Sequence, residues 1–126
     1  MDKQFLSSAP FFVVTDLHRS IDYYCDSLGF KRPKIWGAFA MPSRDGFIFM
    51  LKQNSEKNDT VTNRDQNGIW DAYVWVEDAD VLFAEMQKNG ADIHYEPCIQ
   101  RDYDMKEFAV KDPDGHVIAF GQHYEE

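Results

Sequence analysis

The chain contains the same sequence pattern twice. Segments 38–53 and 107–122 both carry Phe-Ala at their second and third positions, an Asp-Gly pair in the middle and Gln at the end. In both, β-favouring residues flank the Asp-Gly pair, which is the pattern of a β-hairpin. Because a duplication means that one supersecondary unit occurs twice, the chain is constrained to fold as two similar halves.

A second correspondence precedes each hairpin. Residues 11–16 are rich in β-formers and residues 17–28 have helical spacing, and residues 72–78 and 79–89 repeat this order. An Asp precedes each helical stretch and a Gly follows it: Asp16, Gly29, Asp78 and Gly90. These are residue types preferred at the N-cap and just beyond the C-cap, so each half is predicted to contain one capped helix.

Each half is therefore predicted to be a βαβββ module, and the fold class to be α+β. Strands are predicted near 10–15, 30–35, 37–42 and 46–52, then near 70–76, 92–96, 104–111 and 115–121. The first module spans about 5–53 and the second about 69–122, with a polar surface linker at about 54–68. Since neither half has enough apolar surface for a core of its own, residues 1–126 are predicted to form a single domain.

The charge of the chain excludes one class of partner. Asp and Glu number 22 against 13 Lys and Arg, which gives a net charge of −9. A chain this acidic repels phosphate backbones, so no nucleic-acid partner is predicted. The acidic surface either attracts a cationic ligand or only maintains solubility.

The sequence also bears on where the protein works. No apolar run approaches the roughly 20 residues that a membrane-spanning helix needs, so no membrane association is predicted. Cys25 and Cys98 are too few for a disulfide scaffold and are predicted to be free thiols. The first residues lack the pattern of a signal peptide, so a cytoplasmic location is predicted.

Three segments together carry a resemblance to a known superfamily. They are Val-Thr-Asp-Leu-His-Arg-Ser-Ile-Asp-Tyr-Tyr at 14–24 with Leu-Gly-Phe at 28–30, Tyr-Val-Trp-Val-Glu-Asp at 73–78, and Lys-Glu-Phe-Ala-Val-Lys-Asp-Pro-Asp-Gly-His at 106–116. In this order they resemble the vicinal oxygen chelate superfamily of glyoxalases, bleomycin-resistance proteins and extradiol dioxygenases, and most closely its bleomycin-resistance branch. The resemblance implies a curved mixed sheet that forms a concave cup around a ligand, and a homodimer.

The resemblance also locates the positions at which enzymes of this superfamily hold a divalent metal. In this sequence those positions fall on Ala9, Met50, Asp71 and Ala119. Alanine has no donor atom and methionine sulfur is a soft ligand, so Asp71 is the only candidate ligand among them. The histidines lack the spacing of a metal motif. Neither a metal nor any other cofactor is predicted.

The strand pattern predicts which side chains line the cup, because side chains alternate between the two faces of a strand. The predicted ligand-binding residues are Asp71, Tyr73, Trp75, Met50, Ile48, Phe11 and Trp36, with Val117 and Ala119 on the same face of the last strand. They form an apolar and aromatic basin with one acid, which suits a flat organic molecule. The alternative is that Tyr73 and Trp75 are ordinary core aromatics.

Three functions are compatible with these residues. The first is a non-catalytic protein that sequesters a small aromatic compound, in one version a cationic aromatic antibiotic. The second is a divalent-metal-dependent lyase, isomerase or dioxygenase of the glyoxalase superfamily. The third is a domain whose ligand is another protein. No catalytic residue is predicted, and the metal positions favour the first function while leaving the question of enzymatic activity open.

Overall fold

A computed structural model describes residues 4, 6–54 and 69–125 of the chain. Its elements in chain order are β1 (Phe11–Val14), α1 (Leu17–Asp22), a π-helical segment (Tyr23–Ser27), β2 (Ile35–Trp36), β3 (Phe39–Ala40), β4 (Ser43–Arg44), β5 (Phe47–Ile48), β6 (Met50–Gln53), β7 (Ala72–Trp75), α2 (Ala79–Lys88), β8 (Asp92–Gln100), β9 (Met105–Lys111) and β10 (Val117–His123). The predicted α+β class is confirmed. Apart from Asn54, the predicted linker lies outside the described residues. Of the helices in the described ranges, none is long and apolar enough to cross a bilayer.

Two four-stranded sheets have equivalent strand orders. One runs β1-β6-β3-β2 and the other β7-β10-β9-β8. In each, the first strand pairs in parallel with the last, with Phe11 opposite Met50 and Tyr73 opposite Ala119. The described strands thus form two mixed sheets, one from each half of the chain, and a separate hairpin of β4 and β5.

The predicted strands 30–35 and 46–52 are shorter than expected. The first is reduced to β2 and an isolated bridge between Lys31 and Ser43. The second is interrupted at Phe49, whose side chain is 2% exposed and contacts the rings of Phe12, Tyr24 and Phe30. The Phe49 N–H donates to the Pro42 carbonyl at 3.1 Å, but proline has no N–H to return the bond, so the β4–β5 ladder ends before Phe49 and is separate from β6.

The duplicated residues at the helix starts have a common role. As predicted, Asp16 and Asp78 cap their helices, each accepting a hydrogen bond at 3.1 Å from the backbone N–H three residues further on. The repeated Gln53 and Gln122 also accept one from the first helical backbone N–H of their own module, at 2.7 and 2.8 Å. The last strand of each module therefore holds the helix that follows its first strand.

The first helix changes type after Asp22. A helix was predicted over 17–28, and the Leu28 N–H donates to the Tyr23 carbonyl at 3.2 Å, which is the spacing of a π-helix. The hydroxyl of Tyr23 donates to the Lys111 carbonyl at 2.7 Å, and that of Tyr24 donates to Asp112 at 3.0 Å. This segment thus attaches the first module to the β9–β10 turn of the second.

One core cluster contains residues from both modules. Its members include Phe12, Leu28, Leu51, Met86, Phe108, Val110, Ile118 and Phe120. The helices cover this core, which occupies one side of the second sheet. Because side chains alternate along β9 and β10, the neighbours of these residues lie on the opposite side of that sheet.

Candidate functional site: an aromatic face around a buried carboxylate

The side of the second sheet that faces away from the core has a floor of small residues under aromatic rings. Ala109, Val117 and Ala119 are fully buried there and pack against Trp70, Tyr73 and Tyr95. We call this surface the aromatic face; it consists of Trp70, Tyr73, Trp75, Tyr95 and Tyr103 with Glu107, Ala109, Val117, Ala119 and Gly121. The rings of Tyr73 and Trp75 lie 5.3 Å apart, and those of Trp70 and Tyr73 lie 4.7 Å apart.

Glu107 organises the aromatic face. Glu107 is buried, and only 1% of its surface is exposed. One carboxylate oxygen accepts hydrogen bonds from the hydroxyls of Tyr73 and Tyr103, both at 3.0 Å, and the other accepts one from Tyr95. The Tyr95 oxygen in turn accepts from the indole N–H of Trp70 at 2.9 Å. Three hydroxyl donors therefore compensate the buried carboxylate, and their hydrogen bonds fix the orientation of the rings.

Gly121 makes room for this arrangement. It lies opposite Glu107 in the ladder of β9 and β10. A Cβ atom at this position would lie 1.8 Å from the Tyr73 hydroxyl oxygen, well inside van der Waals contact. The close approach of the Tyr73 side chain, and not the backbone conformation, therefore requires glycine here.

The tyrosines of this face are held in their neutral form. Burial and then the hydrogen bond to Glu107 raise the pKa of Tyr103 to about 12. The same causes, in the same order, raise the pKa values of Tyr73 and Tyr95 well above their usual range. These hydroxyls thus remain donors to the carboxylate throughout the neutral pH range.

The raised tyrosine pKa values predict a loss of stability in alkali. Unfolded tyrosines ionise near pH ~10, whereas the folded Tyr103 keeps its proton to about 12. The stabilisation is complete below ~10 and disappears as pH rises through the folded value, because the unfolded state releases its protons first. Urea unfolding at several pH values above 9 should show a shallower decline for Tyr103→Phe than for the unmodified protein. Equal declines would contradict this assignment.

The predicted ligand-binding residues of the second module lie on the aromatic face or at its edge. Tyr73 and Trp75 lie on the aromatic face, and Trp75 is 71% exposed, which does not fit the alternative of a core residue. One carboxylate oxygen of Asp71 accepts a hydrogen bond at 2.7 Å from the backbone N–H of Val117. Asp71 thus anchors the start of β10, and the buried acid of the face is Glu107.

The predicted first-module residues lie on other surfaces. Phe11 and Met50 are opposite each other on the first sheet, and the rings of Phe11 and Trp36 each lie 6.4 Å from that of Phe39. Ile48 belongs to the separate β4–β5 hairpin. The seven predicted residues thus occupy the aromatic face and its edge, the first sheet, and the hairpin.

The predicted set does not include four members of the face: Trp70, which precedes β7, Tyr95 on β8, Tyr103 between β8 and β9, and Glu107 on β9. Alternation along the last strand places Gly121 on the same face as Ala119. In the ladder Glu107 lies opposite Gly121, because the turn between β9 and β10 contains five residues. A two-residue turn at Asp114-Gly115 would have placed Glu107 opposite Gln122, so the sequence alone did not identify Glu107. Nothing in the sequence indicated that Tyr95 faces the same side. The pairing of β8 with β9 has two register shifts, one on either side of Tyr95, and simple alternation of side chains does not predict them.

The superfamily's metal positions do not form a metal site in this chain. Ala9 and Ala119 have no donor atom, Met50 offers only a thioether, and Asp71 already accepts the Val117 N–H. Within residues 4, 6–54 and 69–125, no group of three or more His, Cys, Asp or Glu side chains is arranged to hold a metal ion. The residues present therefore do not fit the metal that the superfamily resemblance implies.

Comparisons with known proteins agree with this fold. Over 128 residues the chain is 27% identical to bleomycin resistance proteins from Geobacillus stearothermophilus and Staphylococcus aureus, covering 93% of this chain and 96% of theirs. A crystal structure of a glyoxalase/bleomycin resistance protein/dioxygenase from Alicyclobacillus acidocaldarius superposes with a TM-score of 0.78 at 14% identity, covering 99% of this chain and 96% of that one. TioX from Micromonospora sp. ML1 superposes with a TM-score of 0.68 at 25% identity, covering 91% and 96%. The family profile described as the Glyoxalase/Bleomycin resistance protein/Dioxygenase superfamily matches residues 8–120, so the chain belongs to this superfamily, as its sequence motifs predict.

Proposed function

We propose that this protein is a non-catalytic binding protein that sequesters a planar aromatic cation on the aromatic face. The observation that carries the proposal is the buried Glu107 carboxylate, with three tyrosine hydroxyls turned towards it. This arrangement places a negative charge at the hydroxyl ends of three aromatic rings. A flat cation stacked on those rings would gain both dispersion and electrostatic attraction.

The hydrogen bonds to Glu107 favour a cation in a second way. A tyrosine that donates to a carboxylate shifts electron density into its ring, and the face of the ring becomes more negative. Cation–π attraction depends on that negative face. The net charge of −9 adds a long-range field of the same sign, which raises the rate at which cations arrive.

The relatives support a resistance-type role. The curated relatives quoted above are named bleomycin resistance proteins, which is consistent with sequestration of an antibiotic as the biological purpose. The competing proposal, a metal-dependent lyase, isomerase or dioxygenase, needs ligands at positions that Ala9, Met50 and Ala119 occupy. No specific observation favours that proposal.

The remaining sequence predictions belong to the same proposal. We propose that the chain acts as one domain, that it works in the cytoplasm and that it forms a homodimer. Support for the dimer comes from the first sheet, where Phe11 is 56% and Trp36 52% exposed. A second copy of the chain would cover such residues, and two-fold pairing is the commonest soluble assembly.

Removing the Trp75 indole tests the binding proposal. We expect Trp75→Ala to weaken binding of N-methylquinolinium by about 1–3 kcal/mol, because a stacking platform is lost. Isothermal titration calorimetry measures this loss. The melting temperature should change little, since Trp75 is 71% exposed.

Two controls distinguish specific cation binding from nonspecific binding to exposed aromatic rings. Trp36→Ala removes an indole from the first sheet, outside the aromatic face, and should leave the affinity unchanged; sedimentation checks that the variant keeps its oligomeric state. The uncharged isostere 1-methylnaphthalene should bind the unmodified protein more weakly than N-methylquinolinium does. Equal affinities for the two compounds, or equal losses in the two variants, would contradict the proposal.

A further inference from the structure

A cavity of about 380 Å³ lies on the opposite side of β7 from the floor of the aromatic face. It is enclosed by β7, by α2 and by the β4–β5 hairpin. Its inner wall is apolar and includes Phe30, Val74, Met86 and Phe120, while Phe47, Trp75 and Val81 surround its mouth. Its volume is within the range of small-molecule sites. Apart from Trp75, which borders both surfaces, the binding proposed above does not use the residues of this cavity.

The mouth of the cavity combines exposed apolar side chains with acidic ones. Phe47 is 56% and Val81 64% exposed, although both are apolar. Among the described residues, the carboxylates that line the cavity are Asp45, Glu77, Asp78 and Glu85, and the basic one is Arg44. The apolar wall suits a hydrocarbon body, and the acidic mouth suits a positively charged end.

Arg44 offsets the charge of Glu85, with which its guanidinium is paired, so the carboxylates of Asp45, Glu77 and Asp78 still outnumber it at the mouth. Its two terminal nitrogens donate to the two carboxylate oxygens of Glu85 at 2.9 and 3.2 Å, and one also donates to the Leu28 carbonyl at 2.8 Å. This fork holds the hairpin against α2 and keeps the cavity formed. Glu77 lies exposed at the mouth, where an incoming cation would meet it.

We propose that this cavity is a second binding site, which takes the apolar body of an amphiphilic cation and holds its charged end among the carboxylates at the mouth. It differs from the aromatic face in shape and in the ligand it accepts. An alkyl chain fits an enclosed apolar pocket, whereas a flat ring fits an open stack of aromatics. Trp75 borders both sites, but Val81 and Leu82 line only this cavity, so their signals test it independently of the proposed function.

Decyltrimethylammonium, used below the concentration at which it forms micelles, tests this site. We expect it to shift the methyl NMR signals of Val81 and Leu82 saturably. Val81→Trp should fill the mouth and weaken binding by about tenfold or more. Ala84→Trp is the matched control, because it adds the same indole to an exposed position of α2 that does not line the cavity. This variant should bind decyltrimethylammonium as tightly as the unmodified protein does.

The charge preference is tested separately. Glu77→Gln should weaken decyltrimethylammonium binding by about twofold to fivefold at low salt and have little effect at high salt, because an exposed charge is screened. Decyl sulfate, with the same chain and the opposite charge, should bind more weakly. Any of three results would overturn the proposal. The Val81 and Leu82 signals of the unmodified protein do not move, Val81→Trp and Ala84→Trp bind decyltrimethylammonium equally well, or the unmodified protein binds the two detergents equally well.

Discussion

Glu107→Leu is expected to destabilise the protein by about 2–5 kcal/mol, because it leaves buried tyrosine hydroxyls without an acceptor. The substitution leaves the hydroxyls of Tyr73, Tyr95 and Tyr103 without their common acceptor. Each donor that stays buried without a partner costs about 1–3 kcal/mol, although the exposed Tyr103 can recover water. Urea unfolding, followed by circular dichroism, measures the loss.

Glu107→Gln is the matched control for that experiment. The amide keeps one oxygen acceptor for Tyr73 and Tyr103 but turns an N–H₂ group towards Tyr95, so a smaller loss is expected. The comparison separates the missing acceptors from the missing charge. A Leu variant as stable as the Gln variant would contradict the role assigned to the carboxylate.

Gly121→Ala is expected to cost about 1–3 kcal/mol, which is typical of adding a methyl group to a packed site. The new Cβ would lie 1.8 Å from the Tyr73 hydroxyl oxygen and 3.0 Å from the Met105 methyl carbon. Tyr73 must therefore move, and its hydrogen bond to Glu107 is lost with the movement. Thermal and urea unfolding measure the stability, and the pH dependence of tyrosine absorbance reports the released hydroxyl.

A double-mutant cycle with Tyr73→Phe isolates the cause. Without the hydroxyl, the nearest atom to the new Cβ is the terminal ring carbon, at 2.6 Å in place of 1.8 Å. The alanine should then cost less than it does beside tyrosine, so the two substitutions should be non-additive. Additive effects would mean that Gly121 is required for a reason unrelated to Tyr73.

The elements that could be predicted from sequence are those specified by local chemistry. Asp16 and Asp78 cap their helices because a short carboxylate satisfies free N–H groups in any context. The Asp45-Gly46 hairpin forms where predicted because both residues adopt positive φ, as the tightest hairpin turn requires. The duplicated Gln53 and Gln122 were visible as a repeat, but their shared role required the strand pairing.

The features that escaped prediction depend on long-range contacts. The π-helical segment at Tyr23–Ser27 has helical spacing like any other, and its hydroxyl contacts lie 88 residues away. The Phe49 ring is buried against the rings of Phe12, Tyr24 and Phe30, which come from other segments of the chain. Glu107 looked like one more charge in an acidic chain, and only the positions of Tyr73, Tyr95 and Tyr103 make it the centre of a site.

The tryptophan indole signals provide the most direct test of the account. The chain has three tryptophans, of which Trp70 and Trp75 lie on the aromatic face and Trp36 on the first sheet. Titration with N-methylquinolinium, followed by ¹H–¹⁵N correlation spectra, should shift the Trp70 and Trp75 indole signals saturably and leave that of Trp36 in place. Saturable shifts of Trp36 alone, or no saturable shift of Trp70 and Trp75, would contradict a cation site at the buried carboxylate.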